Sequence, residues 1–313
     1  MSSAAESAQQ TLATLTAQLC EAVADFEPSW SRGTLSYVGG GIESYVFKLQ
    51  LRTGGAIALK VPMVRYIDND NDQGLDAFDL FRQERDLTAY LRERGFPVPA
   101  PVGLRLPRTD DDIGFFALQF IDSDGSKPST GALGGLLAQL HDLPAPSFRP
   151  IAQRLDRWEN SIALLIRNRS DVVEALSGVH IPSVSQPQLI DILNTAPQRS
   201  ALLHMDPRDE NMLCVAGKVK AVIDWSNCLI APPELELYRV AEYGLWNEAV
   251  QARYGTALQG EVDADALSLV YRLYTATMLA VVFLSEAPDP IRAEPQVARV
   301  QKLYANLIRK LGD

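Results

Sequence analysis

The sequence has 313 residues, 47% of them hydrophobic and 22% charged, with a formal net charge of −10. That length and apolar share suffice to bury a sizeable core in one large or two ordinary domains. The acidic balance argues against nucleic acid as a partner, because phosphates call for basic patches.

The N-terminal stretch MSSAAESAQQTLATLTAQL lacks a basic start followed by an apolar core, so no secretory signal is read there. Cys20, Cys214 and Cys228 are odd in number and form no C-x-x-C, which implies neither a disulfide framework nor a zinc site. A reducing cytoplasm fits this usage. The most apolar late segment, 273–284, falls short of the ~20 residues a bilayer span needs and is expected to be a buried helix rather than a membrane contact.

In chain order, residues 4–26 predict a leading amphipathic helix, read as a packing element. Leu35–Val38 and Tyr45–Leu51 have β character and flank Gly39-Gly40-Gly41-Ile42-Glu43-Ser44, giving strand, glycine loop, strand. Glycines let backbone N–H groups approach phosphate oxygens, although a glycine-rich hairpin also serves simply as a turn. It is not a Walker loop, since no Gly-Lys-Ser/Thr follows.

The run Ala56-Ile57-Ala58-Leu59-Lys60-Val61 places Ala56, Ala58 and Lys60 on one strand face by period-two alternation. A lysine on a half-buried face needs an anion. The helix expected over 78–93 supplies one: Leu80, Glu84, Leu87 and Leu91 follow the +4, +3, +4 spacing of a buried face, and Glu84 is its one charge. Pairing Lys60 with Glu84 resolves two otherwise costly burials together. Residues 68–79, with five aspartates, read as a solvated insertion or as the edge of a substrate cleft.

Beyond Gly95, the proline-rich Phe96–Val102 is expected to be extended and stiff, and Gly114–Ile121 to be a buried strand. Asp122–Ser126 is a polar connection where composition shifts from β-rich to helix-rich, so the boundary between an N-terminal lobe (1–121) and a C-terminal lobe (122–313) is placed there. Leu133–His141 and 151–178 read as helical; His141 is taken as structural, satisfying a carbonyl at a helix end, and His180 gets no role.

The stretch SALLHMDPRDENMLCVAGKVKAVIDW (200–225) carries the chemistry. Two short β-like runs, 212–215 and 219–223, are joined by the turn Ala216-Gly217-Lys218, and counting back from it sets Asn211 opposite residues 222–224. Asn211 and Asp224 therefore converge, with Asp206 five residues upstream of Asn211. Phosphoryl transfer needs such a set: hard oxygens for Mg²⁺, here Asn211 and Asp224, and a carboxylate beside the attacking hydroxyl, here Asp206.

Taken in order, GGGIES, IALK, Glu84, PVPAPVG, LHDLP, HMDPRDEN and IDW resemble the aminoglycoside phosphotransferase and choline kinase-like family, relatives of the protein kinases. The resemblance implies an α+β, two-lobed protein-kinase-like fold, with a small antiparallel-sheet lobe and a larger, mostly helical one. It implies ATP and Mg²⁺ as cofactors. Gly39, Gly40, Gly41 and Ser44 would cover the phosphates, Lys60 would hold them and be positioned by Glu84, and main chain at Gln119 and Ile121 would meet the adenine. Asp206 would accept the substrate proton, and Asn211 and Asp224 would bind the metal.

The chain departs from the family pattern in two places. Relatives often have a glycine-containing loop after the histidine, where this chain has Met205; and the frequent G-D-P followed by an aspartate is here Ala231-Pro232-Pro233 and Glu236. Eight residues between Asp224 and Pro233 leave no room for a regulated peptide platform, so the expected partner is a small hydroxylated molecule. Residues 225–294 carry ten acids against four arginines. Such a surplus would draw a cationic acceptor, an aminoglycoside-like or other antibiotic-type metabolite, if it lined the cleft; a solvated helical surface is the other reading. A kinase of a primary metabolite such as choline, homoserine or a thioribose, and a nucleotide-binding scaffold without activity, are the alternatives.

Overall fold

Period-two alternation in the first third of the chain builds a sheet. The computed structural model describes residues 2–41, 43–258, 260 and 264–312, with side chains described from residue 10 onward. Strands β1 (Thr34–Gly40), β2 (Ser44–Gln50), β3 (Ala56–Pro62), β6 (Pro101–Arg105) and β7 (Phe115–Gln119) form an antiparallel sheet in the order β1-β2-β3-β7-β6. In β3 the alternation holds as expected: Ile57, Leu59 and Val61 are buried, and Ala56, Ala58 and Lys60 are half-buried.

The leading helix α1 (Ser2–Phe26) lies on the Ile57 face, where its Leu19, Ala22 and Val23 pack with Phe47, Leu49, Leu59 and Phe115. It is thus part of the core of this lobe. Proline at 101 concealed β6, which the sequence reading left as a merely extended segment. Pro101 sits at the first position of an edge strand, where its missing N–H costs least.

The opposite sheet face receives α2 (Ala77–Glu93), capped by the Asp76 carboxylate on the Phe78 N–H at 2.8 Å. Leu80, Glu84, Leu87 and Leu91 are all buried, as their spacing predicts, and Gly95 in the left-handed region ends the helix. Ahead of α2, the acidic insertion forms the small hairpin β4 (Tyr66–Ile67) and β5 (Leu75–Asp76). It is docked rather than solvated: Asn71 donates its N–H to Glu286 (2.9 Å) and its amide to the Met278 carbonyl (3.4 Å), while Asp72 pairs with Arg154 at 2.8 Å.

The second half is mostly helical: α3 (Ala132–Asp142), α4 (Trp158–Ser177), α5 (Gln186–Leu193), α6 (Pro233–Glu242), α7 (Glu248–Tyr254), α8 (Ala266–Val281) and α9 (Pro290–Gly312). Helix α4 starts later than the stretch read from 151, because residues 151–157 form turns. Among these helices sit β8 (Ala201–Leu203) paired with β11 (Leu229–Ala231), and the hairpin β9 (Met212–Val215) and β10 (Lys218–Val222). Helix α8 runs into a π-helical turn, Val282–Glu286. Together, Ala266–Glu286 is longer than the apolar core read from sequence and is long and apolar enough to cross a membrane, yet 72% of that window is buried inside the protein. It packs on α4, α6 and α9, the buried helix the sequence predicts.

If α1 belongs to the sheet's core, Leu19→Ala should destabilise the protein by about 2–4 kcal/mol in a urea titration. A loss near zero would make the helix an appendage.

Candidate active site

The hairpin fulfils the count from its turn. Val222 pairs with Met212, and the Ile223 N–H donates to the Asn211 carbonyl at 3.0 Å, so Asn211 and Asp224 share one end. His204 joins this end to the preceding loop. Its Nδ1 accepts from the Asp206 N–H (3.1 Å), which leaves Nε2–H to donate to the Ile223 carbonyl (3.0 Å), and its ring meets Trp225 edge-on at 4.4 Å between centroids.

Met205 and Asp224 both take left-handed φ, 65° and 66°. Side chains rarely adopt that region, at a cost of about 1–3 kcal/mol each. A glycine after the histidine would meet no such penalty. Here the strained Met205 is held by its own N–H, which donates to the Glu236 carboxylate. Glu236 is fully buried, and its other oxygen meets His141 Nε2 at 2.7 Å. His141 is structural as read, but its partners are Glu236 and the Tyr254 hydroxyl (2.9 Å) rather than a carbonyl.

The Asp206 carboxylate is buried and fully engaged. Arg208 grips it through two bonds, Nε to Oδ1 at 2.7 Å and Nη2 to Oδ2 at 2.8 Å. Asn211 Nδ2 donates to Oδ2 at 2.9 Å and the Tyr243 hydroxyl to Oδ1 at 3.1 Å. Burial alone would raise its pKa, but the hydrogen bonds of Arg208 and the charges of Arg239 and Arg208 outweigh burial and hold it below the usual carboxylate range. Asp206 is therefore anionic at neutral pH.

Sequence reasoning missed Arg208, Arg239 and Tyr243. A signal for the last two was present: Glu236, Arg239 and Tyr243 follow a +3, +4 spacing that puts three polar groups on one face of α6 and its C-cap.

Lys60 and Glu84 meet as expected, Nζ to Oε2 at 2.6 Å. Burial would lower the Lys60 pKa, but the Glu84 and Asp224 carboxylates more than offset it, so the ammonium is held above its ordinary value. Asp224 thus lies within electrostatic reach of the pair. The glycine stretch differs from the expected loop: Gly39 and Gly40 belong to β1, opposite Val46 and Tyr45 across a bulge, and the turn itself is shorter. Added Cβ atoms at Gly39 or Gly41 would meet nothing within 4 Å, whereas at Gly40 one would sit 3.0 Å from the carbonyl of Ser44. Ile42 lies outside the described residues. At the other edge, the N–H of Gln119 is spent on Ala100 and that of Phe120 on Ala56, while Ile121 N–H has no internal partner among the described residues.

Among the described residues no group of three or more His, Cys, Asp or Glu is arranged to hold a metal ion. The oxygens that could hold one are those of Asp224, which accepts from the Ser226 hydroxyl at 3.1 Å, and Oδ1 of Asn211, whose Nδ2 is committed to Asp206. Two oxygens suit Mg²⁺, which relies on one or two protein ligands plus phosphates and water. The surroundings also favour a cation: burial first, then the charges of Asp224, Asp72 and Glu286, push Glu43 up to about 7 against the opposing Lys60.

The fold and this arrangement define the protein-kinase-like class of phosphotransferases. Residues 34–273 match the phosphotransferase enzyme family, and the chain belongs to it; it is a small-molecule phosphotransferase with an alcohol group as acceptor. Solved structures with the same fold include aminoglycoside phosphotransferase APH(4)-Ia (TM-score 0.65, 14% identity, covering 93% of this chain and 98% of that one). A putative fructosamine-3-kinase from Haemophilus somnus 129PT is also similar (0.61, 16%, 88% and 91%), as is a macrolide 2′-phosphotransferase type I (0.53, 14%, 91% and 96%). No curated protein matches the chain by sequence.

Because Glu43 has a folded-state pKa of about 7 against an ordinary 4.5, the folded chain holds an extra proton between those values, and stability should fall as pH rises through that window. Glu43→Gln should abolish that slope, matching the parent near the lower limit and exceeding it by about 1–3 kcal/mol above the upper one. Urea titrations across the window in EDTA read this directly; parallel pH profiles would refute it.

Proposed function

We propose that this protein transfers the γ-phosphoryl group of ATP, with Mg²⁺, to a hydroxyl of a small molecule, an antibiotic-like or other polyhydroxylated metabolite. The observation that carries the reading is the convergence of an anionic, immobilised Asp206, the oxygens of Asn211 and Asp224, and the Lys60–Glu84 pair at one end of the hairpin. Another member of the fold, a thermostable APH(4)-Ia mutant (TM-score 0.63, 15% identity), was crystallised with AMP-PNP and hygromycin B, which supports nucleotide and polyhydroxylated acceptor as the ligand classes.

In this reading Lys60 orients the nucleotide's phosphates, and Glu84 keeps the ammonium fixed on its strand. The open space beside Gly39 and Gly41 admits phosphate oxygens, and Ile121 N–H receives the base. Bound Mg²⁺ supplies charge neutralisation on the phosphates. Asn211 orients Asp206 through Nδ2 while presenting Oδ1 to the cation. Asp206 accepts the acceptor's hydroxyl proton, which requires one of its oxygens to exchange Arg208 or Tyr243 for that hydroxyl. We place the lobe division at residues 121/122, where the Ser123 hydroxyl and the Asp124 N–H both donate to the Cys214 carbonyl and tie the connection to the hairpin.

Asp206→Ala should lower acceptor-dependent ADP release by about 10²-fold or more while Mg-ATP still binds. Lys60→Ala should instead weaken nucleotide binding, read by titration with AMP-PNP. Undiminished turnover in the first variant would remove Asp206 from its role, and an unaltered titration in the second would remove Lys60.

A further inference from the structure

Five of the ten acids in 225–294 are engaged by neighbours within the protein. Glu236 is locked between His141 and Met205, and Glu242 takes Arg272 at 2.6 Å and Arg299 at 2.7 Å. Asp265 caps α8, Asp289 pairs with Arg292, and Glu286 accepts from the Asn71 N–H. Beside Asp206 the buried charge that lacks a direct ion pair is of the other sign.

Arg239 is 3% exposed, and its one hydrogen bond among the described residues runs from Nε to the Tyr243 hydroxyl at 3.0 Å; that hydroxyl is the group bonded to Asp206 at 3.1 Å. Its guanidinium therefore sits two hydrogen bonds from the transfer site. No carboxylate lies within ion-pair distance of it among the described residues, and the oxygens of Asp206 are held by Arg208, Asn211 and Tyr243 instead.

Arg169 on α4 repeats the anomaly. It is 5% exposed, with Nε and Nη1 both buried and without a hydrogen-bond partner. The two guanidiniums converge on one ring, that of Tyr274, at 5.9 Å for Arg239 and 5.1 Å for Arg169. A ring face, with the longer-range charges of Asp206 on Arg239 and of Glu286 on Arg169, offsets only part of the cost of burying two guanidiniums that lack a direct ion pair. An anion between them would answer both charges, and the planar forks suit bidentate oxyanions.

We propose that Arg239 and Arg169, gathered at Tyr274, form an anion subsite for the acceptor, so that the molecule phosphorylated beside Asp206 carries a carboxylate, sulfate or phosphate in addition to its hydroxyl. The inference rests on Asp206 marking the transfer site. It selects an anionic acceptor over the cationic one that the bare count of acids suggests.

The test uses the full chain saturated with Mg²⁺ and AMP-PNP, so that the nucleotide's own phosphate positions are filled. Malonate is titrated as the anionic probe and 1,3-diaminopropane as a cationic probe of matched length, at constant ionic strength, with the thermal unfolding midpoint as readout. The expected result is saturable stabilisation by malonate alone, with apparent affinity lowered at least about tenfold in Arg239→Gln and in Arg169→Gln. Arg239→Lys should retain part of it, and Arg52→Gln, at an exposed position, all of it. Absence of saturable malonate binding to the parent protein, malonate affinity unchanged from the parent's in both glutamine variants, or preference for the diamine would each overturn the proposal. So would an Arg239→Gln variant whose AMP-PNP affinity falls more than its malonate affinity, since that would assign Arg239 to the nucleotide. Should Arg239→Gln fail to fold, Arg169→Gln and Arg239→Lys decide. Failure of AMP-PNP to bind the parent protein would instead strike the phosphotransferase reading, which is a separate outcome.

Discussion

Much of this structure answers one constraint, the burial of Lys60 against Glu84. Taking both charges out of water costs several kcal/mol per ion, and the mutual attraction repays it only if the geometry is tight and stays so. Here it is 2.6 Å, with Glu84 on a helix clamped from two sides. On one side Phe78 and Phe81 of α2 meet Phe116 and Leu118 of the sheet. On the other, Leu87 and Leu91 enter a cluster with Phe96, Val98, Leu202, Val222 and Trp225, which belong to the catalytic hairpin and its neighbours. Gln83, adjacent to Glu84, donates to the Trp225 carbonyl at 3.2 Å and accepts from the Ile151 N–H at 2.6 Å. The helix that aligns the lysine is thereby in register with the residue after Asp224.

A second constraint is backbone strain at the two ends of the 205–224 segment, Met205 and Asp224; the third left-handed side chain, Ala216, lies in the turn between β9 and β10. Each end residue adjoins a group that fixes it: Glu236 for Met205, and His204 through the Ile223 carbonyl for Asp224. The fixing groups are buried and themselves held, Glu236 by His141 and His204 by Trp225. Such over-determination is what allows an unfavourable conformation to persist at a site that needs it. Glu236 serves both needs at once, one carboxylate oxygen taking the Met205 N–H and the other meeting His141.

What the sequence shows and what it hides divide along the same physical line. Patterns written within one element were readable: the alternation around Lys60, the stripe carrying Glu84, and the turn that sets Asn211 against Asp224. Each depends on residues a few positions apart. Pairings between distant segments were readable only where both partners were anomalous in their own element, as Lys60 and Glu84 are. Strand β11 has only three residues and is recognisable through its partner β8, and β6 begins with a proline that locally argues against a strand. The acidic insertion looked solvated because five aspartates dominate its composition, whereas the residue that docks it most firmly is Asn71, an uncharged side chain with a buried backbone contact across 215 positions. Arg239 and Tyr243 escaped notice because their meaning depends on Asp206, more than 30 positions earlier.

Charge shows the same difference between count and placement. A chain with net charge −10 has a long-range field that favours cations at its surface. That field is screened within about 8–10 Å at physiological ionic strength, and it says little about a buried locus that holds two arginines without a direct ion pair. Several carboxylates of the second half, Glu236, Glu242, Asp265 and Asp289, serve as anchors, ion-pair partners or caps. Arg169 and Arg239 are the reverse case: each is enclosed, aimed at the same tyrosine and without a carboxylate at ion-pair distance among the described residues. On the proposed reading, selection among acceptors is governed by the charges a bound molecule touches, and at Tyr274 two of those are arginines.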